Sequence, residues 1–219
     1  MTAKPIEAML RPGSVAVVGA SDRPGSLGEI LCRNLRECGF SGPVYYVNPR
    51  HQRIAGLPVH PDVRALPQPV DLALIATPAV TLPAVLEGCG ARGVRGAVIV
   101  SAGFREGDEQ GAAWGRSMRQ VARRSGLRLL GPNSFGVIRT DIRLNAACGA
   151  ALPEAGRLAL VSQSSALCAA TLDWARAQHV GFSTVISTGA GDDIGFGEVL
   201  DFLARDGATD GIMLYMEGV

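Results

Sequence analysis

The sequence has no surplus of charge: 21 Lys and Arg stand against 20 Asp and Glu, for a formal net charge of +1. Interspersed as they are, these residues make no basic face for nucleic acid or for an anionic membrane. The adjacent pair Arg123-Arg124 lies on a stretch with helical spacing and reads as a solvated helix face. Metal-ligand patterns are lacking too. His51, His60 and His179 are not spaced with Cys32, Cys38, Cys89, Cys148 or Cys168 as ligands would be. The cysteines are odd in number and form no C-x-x-C pair, so they read as reduced, mostly core residues of a cytoplasmic protein. No uninterrupted apolar run approaches the ~20 residues of a membrane span. The opening MTAKPIEAML also lacks the apolar region of a signal peptide.

What is present is apolar and periodic. With 47% hydrophobic residues in 219, the chain can bury a sizeable core, as one large domain or two small ones. Short runs rich in Val and Ile recur between glycines and prolines: SVAVV (14–18), VYYV (44–47), DLALIAT (71–77), GAVIVS (96–101) and LRLL (127–130). Continuous rather than alternating, they predict strands covered on both faces. Helical spacing fills the gaps. In SLGEILCRNLREC, Leu27, Ile30, Leu31, Leu35 and Cys38 fall on one face at offsets 0, 3, 4, 8 and 11. Alternation of this kind predicts an α/β fold with a doubly wound parallel sheet.

A second series starts near residue 157 with strand-like RLALVS, FSTVIS and GIMLYM, separated by helix-like SALCAATLDWARAQ and EVLDFLARD. The intervening GPNSFGVIRTDIRLNAACGAALPEAG is rich in Gly, Pro and Asn and reads as a linker with at most a short strand. The expected division is therefore 1–144 and 145–219, the second unit holding three strands and looking like the front of something longer.

The first strand runs into VAVVGASDRPGSLG. Glycines at a strand-to-helix turn let backbone N–H groups approach an anion, and the helix N-terminus adds partial positive charge. Ser26 suits the helix cap beside Gly25. An ordinary tight turn would look similar, but this one follows the first strand of a βαβ unit, where the fold places its ligand. NAD-binding domains carry an acidic residue at the end of the second strand for the ribose hydroxyls. Here Asn48-Pro49-Arg50 occupies that position, a cation without a carboxylate. Position 21, a glycine in G-x-G-x-x-G, is Ser21, and the loop to Gly28 is wider. NAD is disfavoured. NADP and coenzyme A, each with an extra ribose phosphate, stay open, and Arg50 could also be an ordinary surface arginine.

Several motifs in order resemble the coenzyme A-binding region of NDP-forming acyl-CoA synthetases, the family of the succinyl-CoA synthetase α subunit. VAVVGAS, VNPR, VSAGF and LLGPNSFGVI are followed by LALVSQSSAL, STGAGDDIGFGEVLDFLARD and LYMEGV, so the resemblance spans nearly the whole chain. It implies a Rossmann-like CoA-binding domain followed by an incomplete flavodoxin-like domain. Within the family, LRPGSVAVVGAS, LDWARAQHVGFS and LDFLARD are similar to proteins in which this region is fused to a GNAT lysine acetyltransferase, and single-chain ADP-forming acetyl-CoA synthetases share most of the same motifs.

The resemblance implies that Gly19, Ala20, Ser21, Gly25, Ser26, Leu27 and Gly28 cradle the phosphates of coenzyme A or acetyl-CoA, with Asn48, Pro49 and Arg50 beside them. Thr77 and Pro78 would follow along the coenzyme, Ser101, Ala102 and Gly103 would line its pantetheine arm, and Asn133 would shape the floor between the domains or serve its own turn. Two helix N-termini, at Ser162-Gln163-Ser164-Ser165 and at Gly189-Ala190-Gly191, would face one phosphate carried on a histidine, and Glu217 would hold that histidine's ring. Capping alone would also explain both turns. Asp192 and Asp193 suit capping better than phosphate contact.

The family's nucleophilic histidine comes from a loop beyond the strand ending at Glu217, and His51, His60 and His179 do not match it. The expectation is a coenzyme A-binding fragment inactive by itself, with ATP or ADP and Mg needed only in the full-length protein. Its partners would be the remaining ligase domains or subunit, with homo-oligomers also open and an apolar face exposed on the second unit. The alternatives are an acetyl-CoA-sensing region of an acetyltransferase and, more distantly, an NADP-dependent oxidoreductase.

Overall fold

A computed structural model describes residues 3–103, 109–149, 151–191 and 193–218. In chain order the first part holds α1 (Ala3–Leu10), β1 (Val15–Val18), α2 (Leu27–Glu37), β2 (Val44–Val47), β3 (Arg53–Ile54), β4 (Leu57–His60), β5 (Leu72–Ile75), α3 (Leu82–Ala91), β6 (Gly96–Ile99), α4 (Glu109–Ser125) and β7 (Arg128–Leu130). The rest holds β8 (Gly136–Arg139), β9 (Leu144–Ala147), β10 (Ala155–Ser162), α5 (Ser165–Ala177), β11 (Phe182–Ser187), α6 (Phe196–Leu203) and β12 (Gly211–Tyr215).

The first seven strands form one sheet in the order β3-β4-β2-β1-β5-β6-β7. All its pairings are parallel except β3 with β4. Burial on both faces explains the continuous Val/Ile runs. Along β1, Val15 and Val17 point into one apolar cluster while Ala16 and Val18 point into another, and β5 repeats the pattern with Leu72 and Leu74 against Ala73 and Ile75.

The second sheet corrects the expectation of a linker and a three-stranded unit. Five strands run β12-β10-β11-β8-β9, with β8 antiparallel to β11 and β9 antiparallel to β8. Residues 136–147 thus form a hairpin of the second sheet, and the division expected at 144/145 falls at the start of β9. Its glycine is a packing requirement: a Cβ on Gly136 would lie 2.2 Å from the Ala146 carbonyl oxygen on the facing strand. On α2 the predicted face holds for Leu31 and Leu35, but Leu27 is 39% exposed. Cys32 and Asn34 are buried as well.

One apolar cluster joins the two units: Met9, Leu31 and Leu35 from α1 and α2 share it with Val161, Ile186, Val199 and Leu203. Helices α1, α2 and α6 therefore lie between the sheets, α3 and α4 cover the outer face of the first, and α5 covers the outer face of the second.

Candidate functional site

The strand order reverses on either side of β1, whose neighbours are β2 and β5. Open α/β sheets bind ligands at the carboxyl ends of such strands. A cleft of about 990 Å³ lies there, lined by the loop after β1, the Asn48–His51 turn after β2 and the Ala76–Pro78 segment after β5. The volume suits a large cofactor.

Two glycines let the loop after β1 close on its surroundings. Gly19 has φ +88°, and a Cβ there would sit 2.8 Å from the Ala76 carbonyl oxygen. A Cβ on Gly28 would come 2.0 Å from the Gly19 carbonyl oxygen, so the first turn of α2 is pressed against the end of β1. Between them Ser26 caps α2: its Oγ accepts from Glu29 N at 3.3 Å and donates to the Arg23 carbonyl at 2.8 Å. Ser21 Oγ accepts from Arg23 N at 3.0 Å and shapes the loop from inside. Leu27 and Gly28 stand in the first helical turn, where backbone N–H groups have no intrahelical acceptor, and both line the cleft. Leu27 leaves the helix's buried face for this rim.

Of the residues expected around a coenzyme, Gly19, Ser21, Gly25, Ser26, Leu27, Gly28, Asn48, Pro49, Arg50, Thr77 and Pro78 line this one cleft. Ala20 is fully buried beneath it and takes part through its carbonyl, which accepts from Asn48 Nδ2 at 2.7 Å. Thr77 Oγ1 is buried with no hydrogen-bond partner, a polar atom left over on the cleft wall. Ser101 is buried, and its Oγ donates to the Thr77 carbonyl at 2.5 Å, bracing that wall from behind. Ala102 and Gly103 are exposed on the turn that follows. Phe104 of the same motif lies outside the described residues.

Sequence reasoning missed the far side of the cleft. His51, Pro61, Asp62 and Val63 line it, together with Thr81 and Val85, while Asp22 and Arg23 line the near side on the glycine loop itself. Strand β4 pairs parallel with β2 and brings Pro61–Val63 to the cleft. The run GLPVHP, with a turn before it, was the available signal.

The second group of expected residues gathers around one segment, Gly131–Ser134. Asn133 has φ +58° and donates its N–H to the Ser101 carbonyl at 3.1 Å. Its own carbonyl accepts from Ser165 Oγ at 2.9 Å, and the Pro132 carbonyl accepts from Ala190 N at 3.0 Å. The turns at Ser162–Ser165 and Gly189–Gly191 are thereby anchored side by side. Ser164 caps α5, accepting from Leu167 N at 3.3 Å. Gln163 ties this turn to the end of β12: its Oε1 accepts from Glu217 N at 2.5 Å and from Gly218 N at 3.2 Å.

The other turn departs from expectation. Gly189–Gly191 does not cap α6, which begins at Phe196 with Gly195 as its extended N-cap and no capping side chain. Ala190 N–H is spent on Pro132, and Gly191 N–H on the Thr188 carbonyl at 3.1 Å. Asp193 turns away from α6 as well: its Oδ2 accepts from Leu129 N at 2.7 Å and from Arg128 Nε at 2.9 Å. Asp192 lies outside the described residues.

Residues 13–140 match the family of the CoA binding domain. The chain belongs to that family. Behind its CoA binding domain, residues 155–219 match the succinyl-CoA ligase like flavodoxin domain. An ADP-forming acetate–CoA ligase of Archaeoglobus fulgidus is 44% identical over 98% of this chain and 31% of its own length. The α subunit of an ADP-forming acetate–CoA ligase of Pyrococcus furiosus is 41% identical over 98% of this chain and 47% of its own. Among solved structures, an acetyl-coenzyme A synthetase of Ca. Korarchaeum cryptofilum in complex with phosphate and ADP superposes with a TM-score of 0.93. Its identity is 37%, over 98% of this chain and 46% of that one. The chain thus spans from 31% to 47% of the length of these relatives.

Proposed function

We propose that the cleft between β1 and β5 binds coenzyme A or its acyl thioester, and that the chain is the coenzyme-binding region of an ADP-forming acyl-CoA ligase. One observation carries the reading: the position after β2 where dinucleotide-binding domains carry their acidic residue is held by Asn48-Pro49-Arg50, which lines the cleft. At that turn vicinal ribose hydroxyls would find no carboxylate, whereas a ribose phosphate would find a guanidinium. The pyrophosphate would take the N–H groups at the start of α2. The buried, unpartnered Thr77 hydroxyl offers the coenzyme one further polar contact.

Coenzyme A would supply the thiol that receives an acyl group, and the residues of this chain would bind and orient it. The links from Thr77 through Ser101 and Asn133 to Ser165 mark the direction in which the pantetheine arm would run. At their end, the turn Ser162–Ser165 at the start of α5, tied through Gln163 to Glu217, would hold a phosphoryl group, with Gly189–Gly191 packed alongside. A nucleotide and Mg would be bound by the remaining ligase domains or subunit. The chain's unpaired cysteines fit a cytoplasmic setting.

Calorimetric titration with coenzyme A, acetyl-CoA, NADPH and NADH tests the reading. Coenzyme A or acetyl-CoA should bind and the nicotinamide cofactors should not. NADPH binding without coenzyme A binding would sink it. Arg50→Ala should weaken coenzyme A roughly tenfold, the worth of one charge-assisted hydrogen bond, while leaving 3′-dephospho-coenzyme A nearly unaffected.

A further inference from the structure

Asn48 stands on the cleft wall, yet its side chain is committed to the protein on both sides. Nδ2 donates to the Ala20 carbonyl at 2.7 Å, on the loop between β1 and α2. Oδ1 accepts from Arg50 N at 2.9 Å, closing the turn that carries Arg50. Its main chain is held as well: Asn48 N donates to the His60 carbonyl at 2.9 Å, and His51 N reaches the Asn48 carbonyl at 3.5 Å. The amide therefore bridges the two loops that face each other across the cleft. One is the glycine loop, and the other carries the cleft's basic residue after β2.

We infer that Asn48 is a positioning residue: it sets the register between the glycine loop and Arg50, and so tunes recognition of the ligand's ribose phosphate without supplying that contact itself. The inference rests on the coenzyme A reading above. Physically, an asparagine folded back onto the N–H two residues on fixes a turn that Pro49 has already stiffened at φ. An exposed arginine loses side-chain entropy when it engages a phosphate, and a fixed backbone lowers the total ordering cost. The Nδ2 arm acts on a different loop, where every ligand carrying the pyrophosphate is held alike.

The two arms can be separated by substitution, because Asn48→Ser keeps a neutral hydroxyl acceptor for Arg50 N, adds no charge and removes the donor facing Ala20. Asn48→Ala removes both. The test measures dissociation constants of the 219-residue chain for coenzyme A and 3′-dephospho-coenzyme A by titration calorimetry. The wild type and Arg50→Ala set the scale. Asn48→Ser should weaken both ligands by a similar factor and keep the wild-type ratio between them. Asn48→Ala should weaken both and also collapse that ratio toward the Arg50→Ala value, a loss of roughly tenfold in discrimination. Adding Arg50→Ala to Asn48→Ala should then change the ratio no further.

Binding of 3′-dephospho-coenzyme A reports within each experiment that the variant is folded. If Asn48→Ala does not fold, Asn48→Ser decides, and a lost ratio in that variant overturns the inference. A wild-type ratio in Asn48→Ala overturns it too, with the coenzyme A reading left standing. A wild-type protein that binds no coenzyme A, or does not discriminate between the two ligands, overturns both.

Discussion

At the residue scale, the cleft depends on atoms that are not there. The first turn of α2 approaches β1 so closely that a methyl group on Gly28 would stand 2.0 Å from the Gly19 carbonyl oxygen, and backbone on both sides cannot yield cheaply. Gly28→Ala should therefore cost about 1–3 kcal/mol or more in stability and abolish measurable coenzyme A binding, read by urea unfolding and by calorimetry. Gly25→Ala should do less, because only its φ of +75° is at stake and no atom lies within 4 Å of its Cβ position. The cysteines make a second prediction. Burial pushes the Cys32 thiol up to about 11, against a hydrogen bond from the Ser21 backbone, and pushes Cys89 and Cys148 to about 12. Iodoacetamide at pH 8 should alkylate these three far more slowly in the folded protein than in urea, with peptide mass spectrometry giving the site-by-site rates. The glycine loop and the Asn-Pro-Arg turn were legible in sequence because each sits directly after a Val-rich strand. Asp62 and Val63 were not, because they follow a short strand whose pairing is set by tertiary contacts. Asn48 was legible as a cleft residue, but its two hydrogen bonds depend on loops 28 and 2 residues away meeting in space.

At the scale of elements, the central question is why a stretch rich in Gly, Pro and Asn holds a hairpin. Strand β8 opens on Gly136 because backbone approaches backbone there, at the Ala146 carbonyl of β9, and sequence periodicity carries no sign of such proximity. The Val/Ile runs of β1, β5, β6 and β11 were readable for the opposite reason, since large side chains fill both faces. The hairpin then clasps α2. Asn34, buried in that helix, donates from Nδ2 to the Ala147 carbonyl at 2.9 Å and to the Gly149 carbonyl at 3.0 Å. Arg143 Nε donates to the Cys38 carbonyl at 3.0 Å, just past the C-terminal end of the same helix. Asn34→Ala strands two carbonyls at once and should cost about 1–3 kcal/mol in urea unfolding. The helix end that faces the cleft lies about 10 Å away by helical rise, so the affinity of folded protein for coenzyme A should change less than twofold. A large affinity loss in calorimetry would mean that the hairpin sets the geometry of the cleft through α2.

At the scale of the whole molecule, two arginine-centred clusters, the second joined by Arg11, hold the first and second units together beyond the shared apolar cluster. Arg128 on β7 forks onto Glu198 of α6 at 2.7 and 2.9 Å and reaches Asp193 at 2.9 Å. Strand β12, by contrast, leaves Ile212, Met213, Leu214 and Tyr215 between 38% and 44% exposed at the sheet edge, the apolar face expected from the sequence. The second arginine, Arg139, has a fully buried side chain stacked 5.3 Å from the centre of the Phe202 ring. It donates to Asp141 at 2.8 Å and to Asp206 at 3.1 Å, and Arg11 from the turn after α1 joins both carboxylates at 2.9 and 2.8 Å. Desolvation pushes Asp206 upward, but hydrogen bonds and charge from Arg11 and Arg139 outweigh it and hold the carboxyl below its ordinary 3.8. Asp141 is lowered in the same way: burial opposes, and Arg139 and Arg11 prevail. A carboxylate whose folded value is depressed contributes stability that is fully present above the unfolded value and is lost as pH falls through the folded one. Wild-type stability should therefore hold down to the region of pH 3.8 and fall below it, part of the loss being carried by this cluster. Asp206→Ala leaves Arg139 buried with a single carboxylate partner and should cost about 3–5 kcal/mol near neutral pH, the scale of a broken buried ion pair. Urea unfolding at a series of pH values checks both statements: the variant should start lower and show a shallower acid limb than the wild type. Parallel curves for the two proteins would mean that Asp206 titrates alike in folded and unfolded chain.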